Sequence, residues 1–370
     1  MKRPIPHIKI VLTPGINPCL KSGILPGLYR AGTILFFFLT GLLTRHSVEA
    51  QDIHFSQFYE APLLRNPSLA GIFTGDYRVQ GVYHDQWNSF SNAYRTGSFN
   101  AEYKMKVGKT YDYFTTALEV VYDKAGTAAL STTELLPAIN YHKSLNNDKT
   151  MYLSLGFMGG IVEKTIDLSK VTTNSQYNGT AYDPALPEGE SFPSANIHYL
   201  DGSIGMSFNN SFGPDNANTM FLGAAFFHLN RPKNSFYQNP ATELEPKYVF
   251  SGGLKLIIND YTYFTFQADH STQGAAQETI GGVIYSYKLG DDPANSLYTL
   301  HLGGMLRWKD AFIPTLKIDM NSLSVGISYD VNVSELQTAS EGRGGFELSI
   351  SYIGLFDREN PQLKTPCPRF

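Results

Sequence analysis

The chain has 370 residues, with 29 Lys and Arg against 33 Asp and Glu, and 42% of it is apolar. That slightly acidic balance argues against a nucleic-acid partner, which needs a basic face. Its two cysteines, Cys19 and Cys367, cannot form a Cys-based zinc site.

Residues 1–50 read as a signal peptide. Six basic residues (Lys2, Arg3, Lys9, Lys21, Arg30, Arg45) stand against one acid, Glu49. Between Arg30 and Arg45 lies AGTILFFFLTGLLT, an uncharged run. It is shorter than the roughly 20 residues a transmembrane helix needs, and it suits the apolar core of a secretory signal. The plain alternative is a single membrane anchor. Cleavage is expected after Ala50, leaving Gln51 first. The remainder then carries 23 basic and 32 acidic residues, about −9. Cys19 leaves with the leader. Its preceding Ile16-Asn17-Pro18 is not the small-residue context of a lipidated cysteine.

Residues 51–76 form a lead-in segment that begins QDIHFSQFYEAPLLRNPSLAG. It fits neither a long helix nor a clean strand. Asn66 can cap a short helix with Pro67 at its first position. Leu64, Leu69 and Ile72 supply an apolar side, and Phe55, Phe58 and Tyr59 add rings. Such aromatic density argues against disorder. The expectation is a plug at the periplasmic mouth of a barrel, carried by Phe55, Gln57, Phe58, Asn66 and Pro67. A disordered leader to the first strand is the alternative.

From residue 77 the pattern has period two. Leu323, Val325, Ile327 and Tyr329 alternate with Ser324, Gly326, Ser328 and Asp330. Phe346, Leu348, Ile350 and Tyr352 alternate with Glu347, Ser349 and Ser351. Met151, Leu153, Leu155 and Phe157 alternate with Tyr152, Ser154 and Gly156. Fourteen such segments lie near 77–86, 94–105, 112–124, 131–143, 149–163, 195–209, 218–229, 247–258, 261–270, 276–288, 297–307, 311–320, 322–333 and 345–355. Each reaches the roughly 9–11 residues a tilted strand needs to cross a bilayer. The fold class is therefore all-β, an outer-membrane β-barrel of about 14 antiparallel strands over residues 77–356. A secreted sandwich or propeller is the alternative, but no blade-length repeat supports it.

Loop lengths support the barrel independently. With a periplasmic N-terminus, the longest connections, 164–194, 230–246 and 334–344, all fall outside. The short ones near Asn146, Asn259 and Asn321 fall in the periplasm, while two run against the pattern: 308–310 is short but outside, and 289–296 is longer but inside. Long outer loops and short periplasmic turns are the habit of such barrels. The outer loops carry Tyr177, Tyr182, Phe192, Phe236 and Tyr237, candidates for contact with a surface protein. A solvated acidic loop is the plain alternative.

Catalytic motifs are weak. His84-Asp85 and Asp269-His270-Ser271 hold triad residue types, but neighbours on a strand point to opposite faces. The histidines show no metal-ligand spacing. Asp291-Asp292-Pro293 reads as a turn, and Asn178-Gly179-Thr180 is a weak glycosylation sequon. No cofactor is expected. The last strand runs to Phe356. Residues 357–370 form a periplasmic tail ending Cys367-Pro368-Arg369-Phe370, kept out of the sheet by Pro366 and Pro368.

Several short pieces carry a resemblance when taken together and in order. They are Gln51 with Ser56-Gln57-Phe58, Asn66-Pro67-Ser68-Leu69-Ala70-Gly71, Tyr77-Arg78-Val79 with Gln86-Trp87, Asp123-Lys124-Ala125-Gly126, Gly344-Gly345-Phe346-Glu347, and the final Cys367-Pro368-Arg369-Phe370. The chain resembles the PorP/SprF outer-membrane proteins of the Bacteroidetes type IX secretion and gliding machinery. Ser68 departs from that pattern, where Ala is more usual. The resemblance implies a FadL-like fourteen-stranded barrel without enzymatic activity. Its implied partners are a secreted surface protein, bound through its C-terminal domain, and periplasmic or peptidoglycan-associated components. Outer-membrane lipid would surround it. A FadL-like transporter of hydrophobic small molecules is the second reading, and a barrel hydrolase, in which a Ser and a His would have to meet, is the third.

Overall fold

The computed structural model describes residues 52–86, 94–108, 111–187, 189, 192–239, 241–293, 296–334 and 343–356. The leader, Gln51, Trp87 and the C-terminal tail with Cys367, Pro368, Arg369 and Phe370 lie outside them.

Fourteen antiparallel strands close into one barrel: β1 (Tyr77–Gln86), β2 (Tyr94–Val107), β3 (Asp112–Ala125), β4 (Leu130–Ser144), β5 (Met151–Thr165), β6 (Asn196–Phe212), β7 (Asn218–Phe227), β8 (Lys247–Ile257), β9 (Thr262–Gln273), β10 (Ala276–Leu289), β11 (Tyr298–Arg307), β12 (Ala311–Met320), β13 (Leu323–Asn332) and β14 (Arg343–Gly354). Each pairs with its neighbours in sequence, and β1 pairs with β14 from Tyr77↔Gly354 to Gln86↔Gly345. Closure removes sheet edges and pairs most of the backbone within the sheet, as hydrocarbon requires, with breaks beside Pro137 and Pro314. The fourteen period-two segments correspond to these strands in order, with ends differing by a few residues.

The alternation resolves into outside and inside. Leu135, Ile139, Leu153, Leu155, Phe157, Ile327, Tyr329, Phe346 and Ile350 are exposed on the outer face. Ser154, Ser328, Asp330, Glu347, Ser349 and Ser351 are buried on the inner one. This inverts a soluble protein: the apolar parity meets the membrane and the polar parity lines the lumen.

The connections β5–β6, β7–β8 and β13–β14, the three longest, open at one rim. Shorter connections occupy the other, the longest being 290–297 between β10 and β11. Asn321 between β12 and β13 holds φ of 57°, a left-handed conformation that Asn tolerates.

Residues 52–76 run through the lumen. They contain a 3-10 turn Phe58–Glu60, one α-turn Pro62–Arg65 and a second 3-10 turn Pro67–Leu69. Asp52 sits at the long-loop rim, bonded to Gln273 at the end of β9. Asp76 sits at the short-turn rim, its N–H donating to Gly354 O at 2.9 Å. The segment therefore spans the barrel instead of filling only the mouth below β1. Phe55, Gln57 and Phe58 lie in the half nearer the long loops, and Asn66 and Pro67 lie at mid-height. The expected position at the periplasmic mouth is corrected accordingly. The physical reason is where the acceptors stand: Glu347, Asp330 and Asp269 project inward well above the short-turn rim, and the segment's donors follow them.

Leu302 is exposed at the middle of β11. Leu302→Arg is expected to cost about 2–4 kcal/mol at the bilayer midplane. A lower temperature of the heat-induced gel-mobility shift would register it.

Candidate functional site: the lumenal segment and the long-loop rim

The segment is held first by a buried carboxylate. Glu347 has no exposed surface. Its Oε2 accepts from Ser56 N at 2.8 Å and its Oε1 from Gln57 N at 2.6 Å. His84 Nδ1 lies 2.9 Å from Oε2. Gln57 also donates to Glu347 O and accepts from Ser349 Oγ. Two sequence pieces some 290 residues apart, Ser56-Gln57 and Glu347, thus form one site. Beside it, Arg307 donates to Ser56 Oγ at 2.6 Å and lies 3.1 Å from Asp330.

Glu60 pairs with Lys317 at 2.6 Å and accepts from Gln80. Arg65 makes a two-pronged contact with Asp269 at 2.7 and 2.6 Å, and its guanidinium lies over the Phe58 ring. Bidentate geometry of this kind fixes orientation as well as charge. Phe58 packs with Ile280, Met305, Ala311 and Ile313, and Phe55 packs with Ala61 and Val82.

Asn66 caps the turn that follows it: Oδ1 accepts from Ser68 N at 2.9 Å. Its Nδ2 donates to Met206 O and Ala224 O, which face each other across β6 and β7. The wall is glycine there. A Cβ on Gly205 would lie 1.9 Å from Asn66 Oδ1, and one on Gly156 would lie 2.5 Å from the Pro67 backbone. Glycine at these two positions is required by close approach. Asn140 then donates to Ser68 O and Ala70 O, and Glu102 bridges Gly71 N and Arg78.

At the long-loop rim, His228 stands between two carboxylates. Its Nδ1 is 2.7 Å from Asp201 Oδ2 and its Nε2 is 2.7 Å from Asp52 Oδ2. Burial alone would lower the imidazole pKa; the hydrogen bonds and charges of Asp201 and Asp52 overcome it and raise the pKa to about 9. Burial would raise the Asp52 carboxyl, but Lys247 and His228 hold it well below the usual range. The sequence gives no local signal for this latch, because Asp52 lies in the lumenal segment, Asp201 within β6 and His228 just after β7.

A polar cavity of about 310 Å³ remains beside the segment in the short-turn half. Arg65, Arg78, Lys255, Lys317, Glu60 and Asp319 are among its lining residues. Among the described residues Ser and His meet at Ser286 Oγ with His301 Nδ1, 2.8 Å apart, and at Ser154 Oγ with His142 Nδ1, 2.7 Å apart. Both couples are direct cross-strand partners, so the contact is what register alone produces. His301 Nε2 lies 2.9 Å from Asp319 but is not aligned for a hydrogen bond. Both serines are fully buried, and neighbouring backbone N–H groups are committed to the ladder. His84 and Asp85 point to opposite faces, as do Asp269 and His270.

The long loops place the aromatic candidates in two groups. Tyr177 and Tyr182 form an isolated bridge, and both are exposed. Phe192 of one loop meets Tyr237 of another, with ring centroids 4.9 Å apart. Phe236, next to Tyr237 in sequence, is half-buried.

Glu347→Ala should strand two N–H donors and cost about 3–5 kcal/mol, with Glu347→Gln intermediate; urea unfolding and protease cutting within 52–60 report both. The raised pKa of His228 gives a second expectation. Its stabilisation is full below its ordinary value of 6.5 and lost as pH rises through about 9. Cutting near Asp52 should therefore accelerate between those values, and His228→Ala should abolish that dependence.

No curated protein matches the chain. Among solved structures it is similar to the Ralstonia pickettii toluene transporter TbuX, with 8% identity, 79% of this chain and 92% of that one covered, and a TM-score of 0.45. It is also similar to a Pseudomonas aeruginosa FadL homologue, with 11% identity, coverage of 79% and 94%, and a TM-score of 0.42. The family model for the type IX secretion system membrane protein PorP/SprF matches residues 47–352. That span takes in the lumenal segment and nearly the whole barrel, and the chain belongs to the PorP/SprF family.

Proposed function

We propose that this barrel is a non-enzymatic docking subunit of type IX secretion in the outer membrane. Its long-loop rim binds an exported surface protein through that protein's C-terminal domain, and its short-turn rim meets periplasmic machinery. Membership of a secretion-system membrane family supports the setting. The observation that carries the reading is the occupied lumen. Residues 52–76 cross it from rim to rim, tied by buried groups at each height: Glu347, Asp269, Asn140 and Glu102. A barrel filled this way is a scaffold. Transport of an apolar solute would need a continuous apolar route, and charged Lys255, Lys317, Asp319 and Arg65 interrupt the apolar lining of Leu69, Ile72 and Phe221 in the cavity beside the segment. Rigid walls then present loops, the usual place for recognition. Tyr177, Tyr182, Phe192, Phe236 and Tyr237 supply large rings of the kind that anchor interfaces.

The test is affinity capture of the tagged protein from solubilised outer membrane, with mass spectrometry of what accompanies it. A secreted protein captured through its C-terminal region, and lost tenfold or more with Tyr177→Ala, Tyr182→Ala and Tyr237→Ala together, is the expected result. Capture unchanged by the triple variant would overturn the assignment to these loops. In planar bilayers the intact barrel should conduct poorly, and removal of residues 52–72 should raise conductance.

A further inference from the structure

Among the described strands the ladder is interrupted beside two prolines, Pro314 between β12 and β13 and Pro137 between β4 and β5; the second lies beside an open groove. Between β4 and β5 the pairing runs from Leu135↔Ile161 to Ala138↔Met158, leaving Leu136, Pro137, Gly159 and Gly160 outside the register. Pro137 has no N–H to give the ladder. Across the next seam Gly159 faces Gly202. Along the outward parity, Pro137, Gly159 and Gly202 therefore share one level on three consecutive strands, with no long side chain among them.

The levels on either side are bulky. On one side stand Leu135, Ile161 and Leu200, joined in register. On the other stand Ile139, Phe157 and Ile204, also joined in register. Two apolar ridges thus flank a floor of Pro and Gly. An open groove of about 440 Å³ lies on this floor against Ile139 and Phe157, and Leu229 also lines it; the Leu229 N–H donates to Gly202 O at 2.9 Å. Strands about 4.8 Å apart give it a length of roughly 10–15 Å. A Cβ on Gly202 would meet nothing within 4 Å, so the space there is open. Beneath the floor, Ala138 and Met158 belong to the apolar cluster that holds Leu63 of the lumenal segment.

We propose that this groove is a binding site for an acyl chain of a membrane lipid. It is continuous with the apolar belt that meets the bilayer: Leu135, Ile139, Phe157, Ile161 and Leu200 are all exposed on the outer face. Its walls are mostly apolar, Ser203 being the one polar side chain among the lining residues, so they give water few partners. An empty groove would leave its lining without dispersion contacts on one side. A flexible hydrocarbon chain fits an open, mostly apolar groove beside the Ile139–Phe157 ridge. Polar groups stand beyond the upper ridge, where Glu163 and His198 lie 4.0 Å apart. Asn230, beside Leu229, donates to Leu200 O. That edge places a lipid headgroup towards the long-loop rim and its chain in the groove.

The test is native mass spectrometry of the full barrel after exchange into lipid-free detergent and addition of phosphatidylethanolamine at fixed ratio. The wild-type chain is expected to keep one lipid. Gly202→Phe, which fills the open space, should reduce that occupancy at least fivefold. Phe157→Ala, which removes a ridge without adding volume, should reduce it too. Leu316→Phe on the outer face of β12 should leave it unchanged. The gel-mobility shift on heating confirms that each variant is folded. If Gly202→Phe fails that check, Phe157→Ala decides alone. Equal retention by wild type and groove variants, marking annular lipid only, would overturn the proposal. So would a wild-type barrel that holds no lipid, or one that instead carries a second copy or another protein on this wall.

Discussion

A carboxylate sealed from water, with two successive backbone N–H groups pointed at it, is the constraint on which this molecule depends. Glu347 cannot be left unpaired at zero exposure without a severe desolvation cost. Ser56 and Gln57 meet that need and have their own donors satisfied in return. His84 of β1 touches the same carboxylate of β14. The strand pair that closes the ring and the segment that fills it therefore share one buried charge.

The rest of the lumen extends the same logic. A polar interior is easy to solvate when open and costly when filled. Filling it with residues 52–76 demands a partner for each charge that loses water. Arg65 with Asp269, Arg78 with Glu102 and Glu60 with Lys317 are such couples. Glycines remove side chains where the backbone must pass, as beside Pro67. Apolar clusters around Phe58 and Leu63 occupy the spaces between the ion pairs. Fit and charge together specify one path for a segment with little regular structure of its own.

Much of this was legible in residue order, and some was not. The strands could be read because lipid outside and polar lumen inside impose a strict period of two, as in Ser328, Tyr329 and Asp330. The turn at Asn66-Pro67 could be read because its capping is local. The course of the segment could not, because its partners are remote: Arg65 and Asp269 are 204 residues apart. Glu347 sat in plain sight at polar parity beside Ser349 and Ser351. A lone carboxylate in a row of serines was the available signal that something must be bound there. The meeting of Phe192 with Tyr237 depends on two irregular loops and has no periodic signature at all.

The course of residues 52–76 carries a consequence for assembly. A ring sealed by hydrogen bonds has no side door. The chain lies at the long-loop rim at Asp52 and joins the wall at the opposite rim at Tyr77. A thread inside a finished hoop cannot be laid from the flank, so this one must be in position as β1 and β14 come together. Because the contact from Ser56 to Glu347 spans nearly the whole barrel sequence, it is also among the last that loop-closure entropy favours. Threading and sealing are thus one event, and the thread is part of the clasp.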